Sequence, residues 1–226
     1  MDRMRRSSWY LAGIWGLALS ACSSPNKPSE QPPANQAPII SALIATPTAG
    51  VTTLTTHILS ATASDPDGDA ITYLWDVGDG RTSTSPTISL QYQNATTVTY
   101  SARLTVTDSK GLTATSTVPV VSAALAGTFV GVLQTNVITV NLTQFLNGVV
   151  TGTWTQPASS ASGVVGPTGQ PGTINANREF NLRFKVLAGG NFDDFFYRGT
   201  MSPGGQTLTG TLTESGFNGQ TLVLSK

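Results

Sequence analysis

From residue 98 to 107 every second side chain is apolar: Val98, Tyr100, Ala102, Leu104 and Val106 share one parity, and Thr99, Ser101, Arg103, Thr105 and Thr107 take the other. That period lays one apolar row along a single face of a pleated strand, whereas a helix needs its apolar residues three or four apart. Shorter runs at 39–45, 55–64, 71–77 and 112–121 surround it, separated by clusters of Gly, Pro, Asp and Asn. Seven or so short strands with turns between them predict a two-sheet β-sandwich over residues 38–122. Only 11% of the chain is charged, and Thr, Ser, Gly and Val recur throughout, which favours half-buried pleated surface over exposed helix. The fold class expected is all-β.

Beyond residue 127 the pattern changes to Gly-Thr and Thr-Gly steps, as in Gly127-Thr128, Thr151-Gly152-Thr153 and Thr209-Gly210-Thr211. Alternating runs at 127–131, 137–145, 148–155, 163–165, 173–175, 179–186, 195–201, 208–213 and 222–224 are joined by Asn147-Gly148, Pro203-Gly204-Gly205 and Asn218-Gly219, all good hairpin turns. About eight consecutive hairpin-linked strands predict a small antiparallel up-and-down β-barrel over 127–226, because closure removes both exposed edges. Glycines within the strands fit the coiling that a small barrel needs. In architecture this half resembles the avidin-like and lipocalin-like barrels, although no biotin-binding set aligns onto it. Its expected interior includes Trp154, Phe180, Phe184 and Phe196.

At the other end, Arg3, Arg5 and Arg6 precede an apolar run, residues 9–19, that is too short to span a bilayer comfortably. Leu19-Ser20-Ala21-Cys22 follows and resembles the lipobox of bacterial lipoproteins. That resemblance implies a signal peptide over 1–21, diacylglyceryl transfer to the Cys22 thiol, cleavage before it, and acylation, for example with palmitate, of the new amino terminus. Two or three acyl chains hold a protein on a membrane where one binds only marginally. An ordinary secretory signal with an incidental cysteine, or an uncleaved apolar N-terminus, is the alternative. Ser23 follows, with no aspartate to resemble the retention signal of inner-membrane lipoproteins, so sorting to the outer membrane is expected. Residues 22–37, rich in Pro, Ser and polar side chains, cannot bury enough apolar surface to offset their conformational entropy and are expected to form a lipidated, disordered tether. Cys22 is the only cysteine, so the folded part has neither disulfide nor thiolate metal site. Removal of residues 1–21 takes three arginines and Asp2, leaving nine basic and eleven acidic residues and no nucleic-acid footprint.

Within the sandwich, Ala61-Thr62-Ala63-Ser64-Asp65-Pro66-Asp67-Gly68-Asp69, then Tyr73-Leu74-Trp75-Asp76-Val77-Gly78-Asp79-Gly80, then Leu104-Thr105-Val106-Thr107-Asp108-Ser109-Lys110-Gly111 stand in the order of a PKD (polycystic kidney disease) domain, which the segment resembles over nearly its whole length. The family often has an aromatic where this chain has Val77. The resemblance implies an immunoglobulin-like sandwich. Trp75, on one parity with Tyr73 and Val77, is expected in its core; a ligand-stacking role is the sharper alternative. Asp79-Gly80 reads as a tight turn.

Asp65, Asp67 and Asp69, at alternate positions around Gly68, could converge on a hard cation such as calcium. The following residues read as a strand, which excludes an EF-hand. The resemblance implies a calcium site of Asp65, Asp67 and Asp108. The same aspartates would also suit a turn whose carboxylates accept backbone N–H groups. His57, the only histidine, reads as a partly buried strand residue. No serine lies in a G-x-S-x-G elbow. Asp193-Asp194, among Phe192, Phe195, Phe196 and Tyr197, could do acid–base work but reads better as a solvated turn.

These observations favour a membrane-anchored envelope lipoprotein that is not an enzyme. Its sandwich would act as a spacer or contact a surface protein or polysaccharide. The alternative is a lipoprotein that binds a ligand in the barrel lumen. A filled interior would favour the first reading and an open one the second.

Overall fold

The computed structural model describes residues 32–167, 169–188, 194–214 and 216–226. Leu19, Ser20, Ala21, Cys22 and most of the tether lie outside the described residues, as do Phe192 and Asp193.

Eight strands build the N-terminal half: β1 (Ile39–Thr46), β2 (Ala49–Val51), β3 (His57–Ser64), β4 (Ile71–Asp76), β5 (Thr82–Ser83), β6 (Thr87–Leu90), β7 (Val98–Asp108) and β8 (Thr113–Ala123). They form two sheets of order β1-β3-β6 and β2-β8-β7-β4-β5. All pairs are antiparallel except β2 with β8. The alternation on β7 becomes a core face, with Ala102, Leu104 and Val106 fully buried and Thr99, Ser101 and Arg103 exposed. Trp75 is 0% exposed between the sheets, and its Nε1 donates to the Ser85 carbonyl at 3.1 Å. Tyr92 is equally buried and donates its hydroxyl to Val77 O at 2.8 Å; burial pushes its phenol up to about 12.

Nine strands follow: β9 (Gly127–Leu133), β10 (Asn136–Gln144), β11 (Val149–Gln156), β12 (Ala161–Val165), β13 (Gly172–Ile174), β14 (Glu179–Ala188), β15 (Phe195–Met201), β16 (Thr207–Thr213) and β17 (Gln220–Ser225). Each of eight pairs with its neighbour in sequence, and β17 returns to β9 through Leu224↔Gly131 and Ser225↔Val130, closing an antiparallel barrel. Short β13 lies against both β11 and β14. Apolar side chains fill the inside, while the outer face mixes polar side chains such as Asn181, Lys185 and Arg198 with exposed Val130, Val132, Val137 and Val223.

The interior is packed. Trp154 stands edge-on to Phe195 at 5.7 Å, Phe195 stacks on Phe184 at 4.8 Å, and Phe180 meets Tyr197 at 4.8 Å between ring centroids. Tyr197 places its hydroxyl 2.9 Å from the carbonyls of both Leu208 and Leu222, where it donates its one proton, and burial raises its pKa. Phe196 departs from expectation. It lies on the outer face of β15, flanked by the guanidinium groups of Arg198 and Arg183, because Phe195 and Tyr197 already claim the inward parity. Glycine is required where strands come closest: a Cβ on Gly152 would strike the Asn141 carbonyl, and one on Gly163 the Lys185 carbonyl.

The two halves interlock. Val51 and Ala123 of the sandwich belong to the same buried cluster as the barrel core, together with Leu125 of the connecting segment. Thr53 Oγ1 donates to Leu146 O at 2.6 Å, Thr55 Oγ1 to Ala176 O at 3.2 Å, and Leu125 N to Gln144 Oε1 at 2.7 Å.

Candidate metal centre

The loop after β3 and the loop after β7 emerge at the same end of the sandwich because β4 and β7 pair with Ile71 opposite Asp108. Carboxylate oxygens of Asp65, Asp69 and Asp108 consequently lie within 4.8 Å of one another. Asp65 uses Oδ1 to accept the N–H groups of Asp67 (2.9 Å) and Asp69 (3.2 Å), as the turn reading expects. Its Oδ2 is buried without a hydrogen-bond partner among the described residues. Asp69 Oδ2 faces Lys110 Nζ at 2.8 Å, and that ion pair holds the ammonium above the usual lysine range.

Asp108 is 5% exposed and the most tightly held of the three. Its Oδ1 accepts Lys110 N at 2.8 Å and Leu112 N at 2.9 Å, and Oδ2 accepts Asn35 Nδ2 at 2.8 Å. Burial opposes its ionisation, yet the Asn35 amide and the backbone donors of Leu112, Lys110 and Gly111 outweigh it and hold the carboxyl below the usual range. Asn35 also accepts from Lys110 Nζ at 3.3 Å, so the chain just before β1 is tied into the cluster.

Asp67 is not part of this convergence. Its two oxygens accept Gln36 N at 2.7 Å and Gln36 Nε2 at 3.1 Å. Gly68, at φ +79°, turns the chain so that Asp69, not Asp67, points with Asp65 towards Asp108. Sequence reasoning missed Asn35 and Lys110 as members; Lys110 stood inside the third quoted motif, whereas Asn35 gave no signal in a polar tether. The donor set fits a hard cation: three carboxylates, one with an orphaned buried oxygen, outnumber the single ammonium among them.

The remaining candidates have structural partners. His57 is more deeply buried than its sequence position implies, at 1% exposure, with Nδ1 2.7 Å from Pro47 O and its ring 5.7 Å from Tyr92. Asp194 pairs with Arg183 at 2.8 Å and accepts Val186 N at 3.2 Å; although burial opposes it, these contacts hold its carboxyl below the usual range.

A family model described as PKD domain matches residues 35–122. The microbial collagenase of Vibrio alginolyticus is 48% identical over 68 residues, which are 30% of this chain and 8% of the collagenase. The pre-pro-metalloprotease PrtV of Vibrio cholerae is 50% identical over 50 residues, 22% of this chain and 5% of that protein. The chain thus matches less than a tenth of the length of either relative. The crystal structure of the PKD1 domain of Vibrio anguillarum Epp covers 40% of this chain and 99% of its own at 29% identity, with a TM-score of 0.33. The molecule is therefore all-β, a PKD immunoglobulin-like domain followed by a closed eight-stranded barrel.

Proposed function

We propose that this protein is a non-catalytic envelope lipoprotein, anchored through acylated Cys22 on the outer membrane, that presents a two-domain β-unit to surface proteins or polysaccharide at the end of its Pro- and Ser-rich tether. The observation that carries this reading is the shared core of the two domains. The barrel interior is occupied by side chains such as Trp154, Phe184 and Phe195, and residues of the sandwich complete it. Such a barrel suits a structural base better than a ligand-holding lumen. Labelling with radioactive palmitate and membrane fractionation test the anchor: the wild-type chain should label and sediment with membranes, and Cys22→Ser should do neither while keeping the same melting temperature. A Cys22→Ser chain that stayed processed and membrane-bound would sink the proposal.

Calcium would reinforce the end of the sandwich nearest the tether. Asp65, Asp69 and Asp108 would hold it, with Asp67 fixing Gln36 beside them. A bound divalent ion would supply charge neutralisation between two loops, the task that Lys110 performs in part.

A further inference from the structure

We propose that the cleft at the domain junction is a binding site for a neutral, hydroxyl-rich saccharide. The cleft, of about 290 Å³, lies between the loop that joins β6 to β7 and the tip of the β10–β11 hairpin, and Gln93, Asn94, Ala95, Gln144, Phe145 and Leu146 line it. This inference rests on the envelope-contact reading and gives it a place and a chemistry.

Four features converge there. Phe145 is 51% exposed although it is aromatic, and the hairpin carrying it is fixed on both sides: Phe145 N donates to Val149 O at 2.8 Å, and Leu146 O accepts Thr53 Oγ1 at 2.6 Å from the sandwich. An exposed ring on a backbone fixed in this way offers its face to the C–H face of a pyranose without reordering the hairpin. Gln144 is the second feature. Its Oε1 is occupied by Leu125 N, but its Nε2 is buried and has no hydrogen-bond partner among the described residues, a donor whose desolvation cost a ligand hydroxyl would relieve. Third, the opposite wall is preformed: Asn94 Oδ1 accepts Thr52 Oγ1 at 3.0 Å and Ser122 Oγ at 2.6 Å, so this loop is locked while its neighbour Gln93 stays exposed with a free-standing amide to offer.

Fourth, the lining selects the ligand. None of the six residues carries a charge, which disfavours an acidic or basic ligand, and planar amides beside an aromatic face match vicinal hydroxyls on an apolar ring. A peptide would look for an open strand edge, but Gln144 is already paired with Val150 and residues 93–95 are not in a strand.

The full lipidated chain, in a detergent without a sugar headgroup, would be titrated calorimetrically with maltotriose, cellotriose, laminaritriose and triacetylchitotriose. At least one should bind at a single site per chain. Phe145→Ala should weaken it roughly tenfold or more and Gln93→Ala several-fold, both without a change in melting temperature, while Gln144→Glu, which keeps the acceptor for Leu125 N but buries a charge, should weaken it several-fold and also lower the melting temperature. A trisaccharide that binds all three variants as it binds the wild type would place the sugar elsewhere, overturning this site while leaving envelope contact intact. Failure of all four sugars, or competition at Phe145 by unstructured peptides instead, would overturn the assignment, and the fate of the Cys22→Ser chain would still judge the anchor separately.

Discussion

Lys110 is the residue on which calcium binding turns, because its ammonium already stands where positive charge is wanted, 2.8 Å from Asp69 and exposed enough to swing away. An exposed ion pair of this kind contributes little by itself. Millimolar calcium is expected to raise the melting temperature of the wild-type chain, since a ligand bound only by the folded state stabilises it by mass action. Lys110→Met should lower the melting temperature without calcium and enlarge the calcium-dependent rise; a flat calcium response in both chains would refute the cation site. Asp108 gives a second test through pH. Its folded carboxyl is held below the usual range, so its contribution is full above the unfolded value of about 3.9 and disappears as pH falls through the lower folded value. Asp108→Asn keeps one oxygen for the two backbone donors but sets an amide against Asn35 Nδ2, so it should lower stability at neutral pH and shrink the loss of stability on acidification. Equal acid limbs in thermal melts of the two chains would count against this account. The alternation Asp65, Asp67, Asp69 was readable in sequence, but which two converge was not. Period-two parity holds along a strand, and Gly68 at positive φ cancels it.

At the level of strands, the long runs were legible and the short ones were not. The strands β7 and β14 announce themselves because eight or more consecutive residues repeat the period, whereas β2, β5 and β6 span three, two and four residues and are defined by their partners. The aromatic run 195–197 shows what pattern alone leaves open: parity puts Phe195 and Tyr197 on one face and Phe196 on the other, but not which of the two faces inward. Three consecutive aromatics cannot all face inward, and the pairing of Phe195 with Phe184 and of Tyr197 with Leu182 decides that Phe196 faces out. Substitution makes the difference measurable: Phe184→Ala, in the packed interior, should cost about 3–5 kcal/mol in chemical denaturation, while Phe196→Ala should cost less than about 1 kcal/mol. Similar losses for the two would mean that the parity is wrong. Gly163 tests the close approach of β12 and β14. Its replacement by Ala should cost about 1–3 kcal/mol, because the Lys185 carbonyl across the pair would have to move, and Gly163 also sits beside the Trp154 Nε1 that donates to that carbonyl.

The connection between the domains decides how the whole molecule behaves, and the sequence offered little about it. Ser122-Ala123-Ala124-Leu125-Ala126-Gly127 has the small-residue composition of a linker, yet Ala123, Ala124 and Leu125 are each at most 1% exposed. Nothing in a local pattern separates a flexible joint from a buried wedge, since the partners that bury it, Val51, Leu54 and Gln144, come from distant parts of the chain. Because Val51 and Ala123 of the sandwich pack with Leu125 into the barrel core, loosening either domain exposes the same surface. The two should therefore unfold together, giving one calorimetric transition whose van't Hoff and calorimetric enthalpies agree. Leu125→Ala should cost about 2–5 kcal/mol and, by weakening the segment through which the sandwich joins the barrel core, divide the melt into two transitions, with the sandwich transition still responding to calcium. Two independent transitions in the wild-type chain would show that each domain melts alone and that the junction is a passive contact. A single transition lost in Leu125→Ala is the expected sign that one cooperative unit carries both the cation site and the junction cleft.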